Sequence, residues 1–523
     1  MTKNDSHSSS QTENTNVRKN EMNRRHFIGG VSAAAFGITV VPSHVFGGNG
    51  RVAPSDKINV AYIGTGTQGL RELPAMLNVK NAQVVAVCDP QKEAIGYYDW
   101  SPRGLLNELR ETIGKPNWMP GGDNTIPGGL DNGKQVVEGF YAKNSANGNY
   151  KGCAAYADFR EMLEKEKGID AVKIMATDHL HGVMAVAAMK KGIHLTMHKP
   201  ISNRLEEGHK VIEMAKKSGV VTHFIPWESN GRMDQVMAWI NGGVIGKLRE
   251  VHNWSNRPVW PQYAEKPTEQ PPLPKGFNWD LWLGPESERP YHPHYTNMVF
   301  RGWYDFGGGA MADMGHYSLW TVFRALKLEN PMIVEPNLSH VCGLRQNSTA
   351  YKIQNDYSFP YSSKVRFMYP ANAERDAVEL IWYDGGMRPP VPAEFYVQDK
   401  EMPIEGMMFV GDSGIIMSSE FNLRDPFVLS GDMNLAENLK IDSPYERKNG
   451  IQLFIDGVER GKQLEGSFRE AWPITEAVNL YAAALRSGKT LKYDATMRKI
   501  TNAPEVNKYL SRDYRKGWSP EEI

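Results

Sequence analysis

The chain has 523 residues, 41% of them hydrophobic, enough for two or three domains that each bury a core. Lysine plus arginine and aspartate plus glutamate both number 60, so the formal net charge is zero and nothing in the balance calls for nucleic acid or an anionic membrane as a partner. Cys88, Cys153 and Cys342 are widely spaced without a CxxC, which suggests neither a disulfide framework nor a zinc knuckle.

Residues 1–50 differ in kind from the rest. After a polar stretch, "NRRHFIGGVSAAAFGITVV" sets Arg24-Arg25 before an apolar run from Phe27 to Val41. That run is shorter than the roughly 20 residues a bilayer span needs, so it reads as a signal peptide, with small residues near Val45–Gly48 to take cleavage. Paired arginines followed by x-Phe-Ile resemble a twin-arginine export signal. The expectation is a periplasmic or otherwise exported protein, carried folded by the twin-arginine machinery, and folded export suits a protein that must first load a cofactor.

Residues 51–226 read as the first domain. Ile58–Ile63 is a buried-strand run, and Gly64-Thr65-Gly66-Thr67-Gln68-Gly69 then opens a helix. This is GxGxxG in its required setting, where glycines let the backbone approach a pyrophosphate at a helix N-terminus. The next strand ends in Asp89, about 20 residues past the third glycine, where an acid accepts from ribose hydroxyls and repels a 2′-phosphate. NAD is therefore expected over NADP. Residues 99–150, rich in Gly, Asn and Pro, read as an insertion covering a site or an oligomer contact. The βα rhythm then resumes. Thr177-Asp178-His179-Leu180-His181 leads into a helix stopped by Gly192, "IHLT" into His198-Lys199-Pro200, and Asn203 reads as the cap of the following helix. In an open α/β sheet ligands bind beyond the carboxyl ends of the strands, so Gly64–Gly69, Asp89, Thr177–His181 and Lys199 are expected at one edge.

The second domain, 227–523, begins near Trp227 with a helix whose apolar face is Met233, Val236, Met237 and Ile240. Beyond Asn330, alternating stretches such as "KVRFMYP" and "AVELIWYDGG" predict sheet. Between them, Gly307–Gly309 supplies a turn and Ala310 onward is helical in pattern, which sets Asp313 on one face with His316 (i, i+3) and Tyr317 (i, i+4). His316 or Tyr317 is the proton-handling partner of Asp313, or both only line the pocket. Trp260, Tyr291, His292, His294, Arg301 and Trp303 suit a sugar, with rings against its apolar face and polar edges on its hydroxyls. Core packing is the rival for the aromatics and a metal site for the histidines, although no HxxxH or clustered carboxylates accompany them.

"GTGTQG", "CDP", "ATDHLH", "HKPIS", "FNWDLWLGP", "YDFGGGAMADMGH" and "YRKGW", in that order over residues 57–523, resemble the Gfo/Idh/MocA oxidoreductases. The resemblance implies an N-terminal Rossmann NAD-binding domain, then a C-terminal α/β domain with a large, mostly antiparallel open sheet and oligomer contacts. It also implies a C-terminal tail packing back on the first domain, and a homo-oligomer, dimer or tetramer. Lys199 matches the lysine of the family's Glu-Lys-Pro motif, set between nicotinamide and the reacting hydroxyl, and His198 stands where the family usually has glutamate. Thr177, His179, His181, His198 and Lys199 then join the glycine turn and Asp89 as cofactor contacts. Lys199, Asp313, His316 and Tyr317 are the proton-transfer candidates, and Arg301, Trp303, Tyr291 and His294 the substrate contacts. Three functions follow: an oxidoreductase of a sugar, glycoside or cyclitol with tightly held, recycled NAD; an NAD-dependent glycoside hydrolase working by transient oxidation at C3 and elimination; or a sugar-binding protein that has lost chemistry.

Overall fold

The structure, a computed structural model, describes residues 56–523 apart from 94–96, 98, 100, 102, 121–125, 226–230, 398 and 443–447. The export signal and the domain boundary at Trp227 lie outside the described residues.

Six parallel strands form the first sheet: β1 (Ile58–Ile63), β2 (Ala82–Cys88), β3 (Ala154–Tyr156), β4 (Ala171–Ile174), β5 (His194–Met197) and β6 (Thr222–Phe224). Their spatial order is β3-β2-β1-β4-β5-β6, the doubly wound order of a Rossmann domain. Val60, Ala61, Val84, Val172 and Leu195 are all wholly buried because helices cover both faces, hence apolar runs rather than alternation. Strand order reverses between β1 and β4, which opens a crevice at their carboxyl ends.

The described part of residues 99–150 is largely helical rather than one long loop. It holds two helices, Gly104–Ile113 and Leu130–Lys143, that cross from β2 to β3, and Leu105, Leu109, Val136 and Val137 are buried against Val60, Tyr62 and Leu70. The βαβ rhythm therefore continues through this stretch. Asn203 is not a helix cap. The helix Leu205–Ser218 starts from Arg204 without a side-chain cap, and Asn203 Nδ2 donates instead to Asp305 O at 3.0 Å. Gly192 does lie just past the helix His181–Lys190, at φ +71°.

The second sheet has nine strands, in the order Phe427–Ser430, Ile415–Ser418, Gly406–Gly411, Leu248–Trp254, Val378–Asp384, Ser363–Tyr369, Ile333–Leu338, Leu491–Asp494 and Lys499–Ile500. All pairs are antiparallel except Leu248–Trp254 with Val378–Asp384. In Ser363–Tyr369 every second residue is buried, so Val365 and Phe367 face the core while Arg366 pairs with Glu335 and Glu379 on the other face. The helices His316–Ala325 and Phe468–Ser487 supply core residues such as Leu319, Trp320, Ile474 and Leu480. This packing fixes Asp313 and Tyr317 at the mouth of the first sheet.

The last residues return to that sheet. Trp518 lies beneath the Arg160 guanidinium, 4.1 Å from its ring centre, and beside Phe159. Arg512 is buried between Glu286, 2.7 Å away, and Glu207, 3.3 Å away.

Candidate active site

One cavity opens along the carboxyl edge of the first sheet and continues beneath the second. It is lined by Gly64, Gly66, Thr67, Gln68, Gly69, Asp89, Thr177, His198 and Lys199, and then by Arg257, Trp260, Arg301, Asp313 and Tyr317.

At one end, Gly64 has φ +91° and an added Cβ would fall 2.5 Å from Met175 O, so only glycine fits. An added Cβ on Gly69 would fall 2.1 Å from Gly64 O, which ties the helix Thr67–Leu77 closely to the end of β1. Gly66 precedes this helix without a side-chain cap, which leaves first-turn N–H groups directed at the cavity. Thr67 Oγ1 and Thr177 Oγ1 are buried with no hydrogen-bond partner. Orphan hydroxyls beside an uncapped helix start fit the phosphates and ribose of a dinucleotide.

Asp89 also lines this end, but its carboxylate has work inside the protein. Oδ2 accepts from Thr65 N–H at 2.8 Å and Oδ1 from Gln91 N–H at 2.9 Å. Thr65 is thus a brace for Asp89 rather than a wall of the cavity. Burial, opposed by these bonds, pushes Asp89 up to about 6.

At the other end, Lys199 Nζ donates to Asp313 Oδ1 at 2.6 Å. Burial lowers the Lys199 pKa against the pull of Asp313, with Arg301 adding to the lowering. Burial would raise Asp313, but Lys199 and Arg301 hold it below the ordinary carboxylate range, so it stays ionised. Beside this pair, His198 Nε2 and Tyr317 Oη are 2.6 Å apart. Burial and then the Lys199 charge keep the His198 imidazole neutral, well below its ordinary pKa. Lys199 Nζ also lies 5.2 Å from the Tyr317 ring centre.

His316 does not share this cavity. Met311–Gly315 form a single π-helical turn before the α-helix His316–Ala325. Its wider i→i+5 winding keeps Tyr317 on the side of Asp313 and turns His316 away. The His316 ring points into the core, with Nδ1 3.0 Å from Ala312 O and Nε2 3.3 Å from Thr475 Oγ1, and burial lowers its pKa to about 3.

The two histidines before β5 also lie outside the cavity lining. His179 packs against Trp282 and Phe306, with Nε2 2.8 Å from Trp282 O. The His181 ring bridges Pro200 O at 2.6 Å and Ala176 O at 2.9 Å, which pins the Lys199-Pro200 segment to the loop ahead of Thr177. Among the upstream residues, only Trp260 and Arg301 reach the cavity. Trp303 is buried in an aromatic cluster and donates to His294 O at 2.6 Å. Tyr291 meets Phe277 and Trp279 edge-on. His294 stacks on Tyr263, and with His292 and Glu269 lines a shallow surface depression. No group of three or more His, Cys, Asp or Glu placed to hold a metal ion occurs among the described residues. Sequence reasoning missed Arg257, whose Nε donates to Asp313 Oδ2 at 3.3 Å; its only signal was a position just past the end of Leu248–Trp254.

The fold and cavity define a two-domain α/β protein with a dinucleotide site. The model of the oxidoreductase family's NAD-binding Rossmann fold matches residues 123–225, and that of its C-terminal alpha/beta domain matches residues 237–361. Residues 123–225 and 237–361 are thus similar to the two domains of the Gfo/Idh/MocA oxidoreductases. Over 94 residues it is 30% identical to the uncharacterized oxidoreductase YfiI of Bacillus subtilis, a match covering 18% of this chain and 24% of the relative. Over 243 residues it is 20% identical to a glycosyl hydrolase family 109 protein of Shewanella putrefaciens, covering 43% and 44%. The chain thus matches less than half the length of either relative. Among solved structures, the WlbA dehydrogenase from Bordetella pertussis, in complex with NADH and UDP-GlcNAcA, has a TM-score of 0.48 at 14% identity, covering 84% of this chain and 99% of that one.

Proposed function

We propose that this protein is an NAD-dependent oxidoreductase acting on a hydroxyl of a sugar, glycoside or cyclitol, with a cofactor that stays bound and is recycled by a second substrate. The observation that carries the reading is the single cavity joining the glycine turn to the Lys199–Asp313 and His198–Tyr317 pairs.

Gly64–Gly69, Asp89 and Thr177 would hold the nucleotide. When bound, the nicotinamide supplies the hydride acceptor or donor. Lys199, of lowered pKa and oriented by Asp313, polarises the substrate oxygen and takes its proton. Tyr317, fixed by His198, hydrogen-bonds the same oxygen and holds it toward Lys199. Tyr317→Phe is expected to lower kcat by about 10²-fold with little change in melting temperature. His316→Gln is expected to do the reverse, lowering the melting temperature while kcat of the folded enzyme stays within a few-fold. Steady-state kinetics and thermal melts on both variants check this, and an inactive but stable His316→Gln would contradict it.

NAD is the proposed form because Asp89 faces the cavity. Above about pH 6 its carboxylate is ionised and repels a 2′-phosphate; below, the protonated acid does not. The preference for NAD over NADP is therefore expected to narrow as pH falls through about 6. Titrating nucleotide-free protein with each cofactor across this range would show it, and a ratio independent of pH would contradict it.

Export through the twin-arginine route is part of the same reading, supported by Arg24-Arg25 with Phe27-Ile28, and cell fractionation is its check. Self-association is supported by exposed Leu344, Tyr396, Val397 and Ile404, and sedimentation is its check. For the main reading, purified exported protein is denatured and the released nucleotide identified: NAD is expected, and absence of any nucleotide would revive a binding-only role. A second reading, an NAD-dependent glycoside hydrolase, draws support from the family 109 relative. Release of free sugar from a glycoside without net reduced cofactor would favour it.

A further inference from the structure

The substrate end of the cavity holds more positive than negative charge. Lys199, Arg257 and Arg301 all converge on the one carboxylate of Asp313, at 2.6, 3.3 and 3.2 Å. All four side chains line the cavity. Other carboxylates stand close but are engaged elsewhere. Asp178 accepts from Gly308 N–H behind the cavity at 3.1 Å. Glu405 accepts from Ser255 and Asn256 and lies 3.9 Å from Arg257. Glu72, beyond His198, pairs with Lys173 at 3.0 Å.

Arg301 is the least satisfied of the three cations. Its Nε approaches Asp313 without the direction of a hydrogen bond and is buried with no partner. The rest of its guanidinium makes no hydrogen bond among the described residues, and the group lies 4.5 Å from the Phe300 ring centre, which fixes its plane. Its side chain is only 16% exposed. Leaving charged donors unfilled in a buried site is costly, and the planar fork matches a carboxylate through two parallel hydrogen bonds. Trp260 Nε1, also lining the cavity, is a second buried donor without a partner.

We propose that the substrate is an acidic sugar, a uronic acid or its glycoside, whose carboxylate is received by Arg301 with Arg257 alongside. This rests on the cavity being the sugar site of the oxidoreductase proposed above. A neutral sugar can accept from the Arg301 fork through hydroxyls but leaves the excess charge unbalanced; a uronate fills the fork with two charged acceptors and balances that charge while Lys199 and Tyr317 remain free for the reacting hydroxyl.

Calorimetric titration of the purified holoprotein tests this with paired methyl glycosides: glucuronide against glucoside, galacturonide against galactoside, mannuronide against mannoside. At least one acidic member is expected to bind about tenfold or more tighter than its neutral partner, as a charged hydrogen-bonded pair supplies. Arg301→Gln should abolish that preference, and Arg301→Lys should keep part of it. Equal or tighter binding of every neutral partner would overturn the proposal, as would a preference unchanged in Arg301→Gln. So would tighter binding of the corresponding sugar sulfates or phosphates, which would assign the site to another anion. The wild-type comparison decides even if a variant fails to fold. Absorbance of the bound cofactor, followed in the same titrations, reports separately on redox chemistry. If uronides bind while no sugar, neutral or acidic, changes it, the oxidoreductase reading fails and this one stands. Neutral sugars that change it while no uronide binds would do the opposite.

Discussion

Replacing Lys199 with methionine is expected to lower the rate of the chemical step by about 10²–10⁴-fold while the nucleotide stays bound. Methionine keeps most of the volume of a side chain that is only 2% exposed, so the wall of the cavity is preserved. Asp313 is not stranded by the change, because Arg257 and Arg301 still approach it at 3.3 and 3.2 Å. What is lost is an amine in the cavity whose pKa is lowered by burial and which can exchange a proton with the substrate oxygen. Single-turnover reaction of the bound cofactor separates this effect from binding and product release. Full turnover with nucleotide bound would remove Lys199 from the chemistry.

The second large effect is expected in the tail, at a residue that does not itself line the cavity. Arg512 is 2% exposed between Glu207, fully buried, and Glu286, 6% exposed. It also donates to His179 O at 3.3 Å and to Asn203 Oδ1. Burial alone would lower its pKa, but Glu207 and Glu286 raise it, so the cation is held firmly in place. Arg512→Ala would leave two buried carboxylates short of a partner, and breaking such a pair costs about 3–5 kcal/mol. Chemical denaturation should show a loss of that order, with kcat at low temperature largely kept because no cavity-lining side chain is removed. A loss under about 1 kcal/mol would mean the tail is a surface appendage rather than a clamp.

Much of this was legible in the sequence, for physical reasons that differ from place to place. The glycine turn was readable because backbone approach leaves no alternative residue at Gly64, and Lys199 because it ends a strand of the same parallel sheet. The sheet of the second half showed itself by alternation in Ser363–Tyr369. Residues 99–150 misled because Gly, Asn and Pro mark the ends of two helices whose apolar faces, Leu105–Leu109 and Val136–Val137, were outweighed in composition. Choosing between His316 and Tyr317 was beyond an α-helical wheel, since one π-turn decides which of them sees Asp313. Trp303, Tyr291 and His294 have the chemistry of a sugar site but spend it on neighbouring rings and backbone, and only tertiary structure separates them from Trp260 and Arg301. The bond between His198 and Tyr317 joins residues 119 apart in sequence and had no local signal.

The central claim is that one cavity brings a resident nicotinamide cofactor to a sugar hydroxyl beside Lys199. Its most direct test is the absorbance of the protein-bound cofactor as purified, exported protein is mixed with neutral and acidic glycosides. The account predicts that at least one sugar interconverts the oxidised and reduced forms on the protein, and that a second sugar reverses the change. Bound nucleotide that no sugar of either class reduces or oxidises would contradict it.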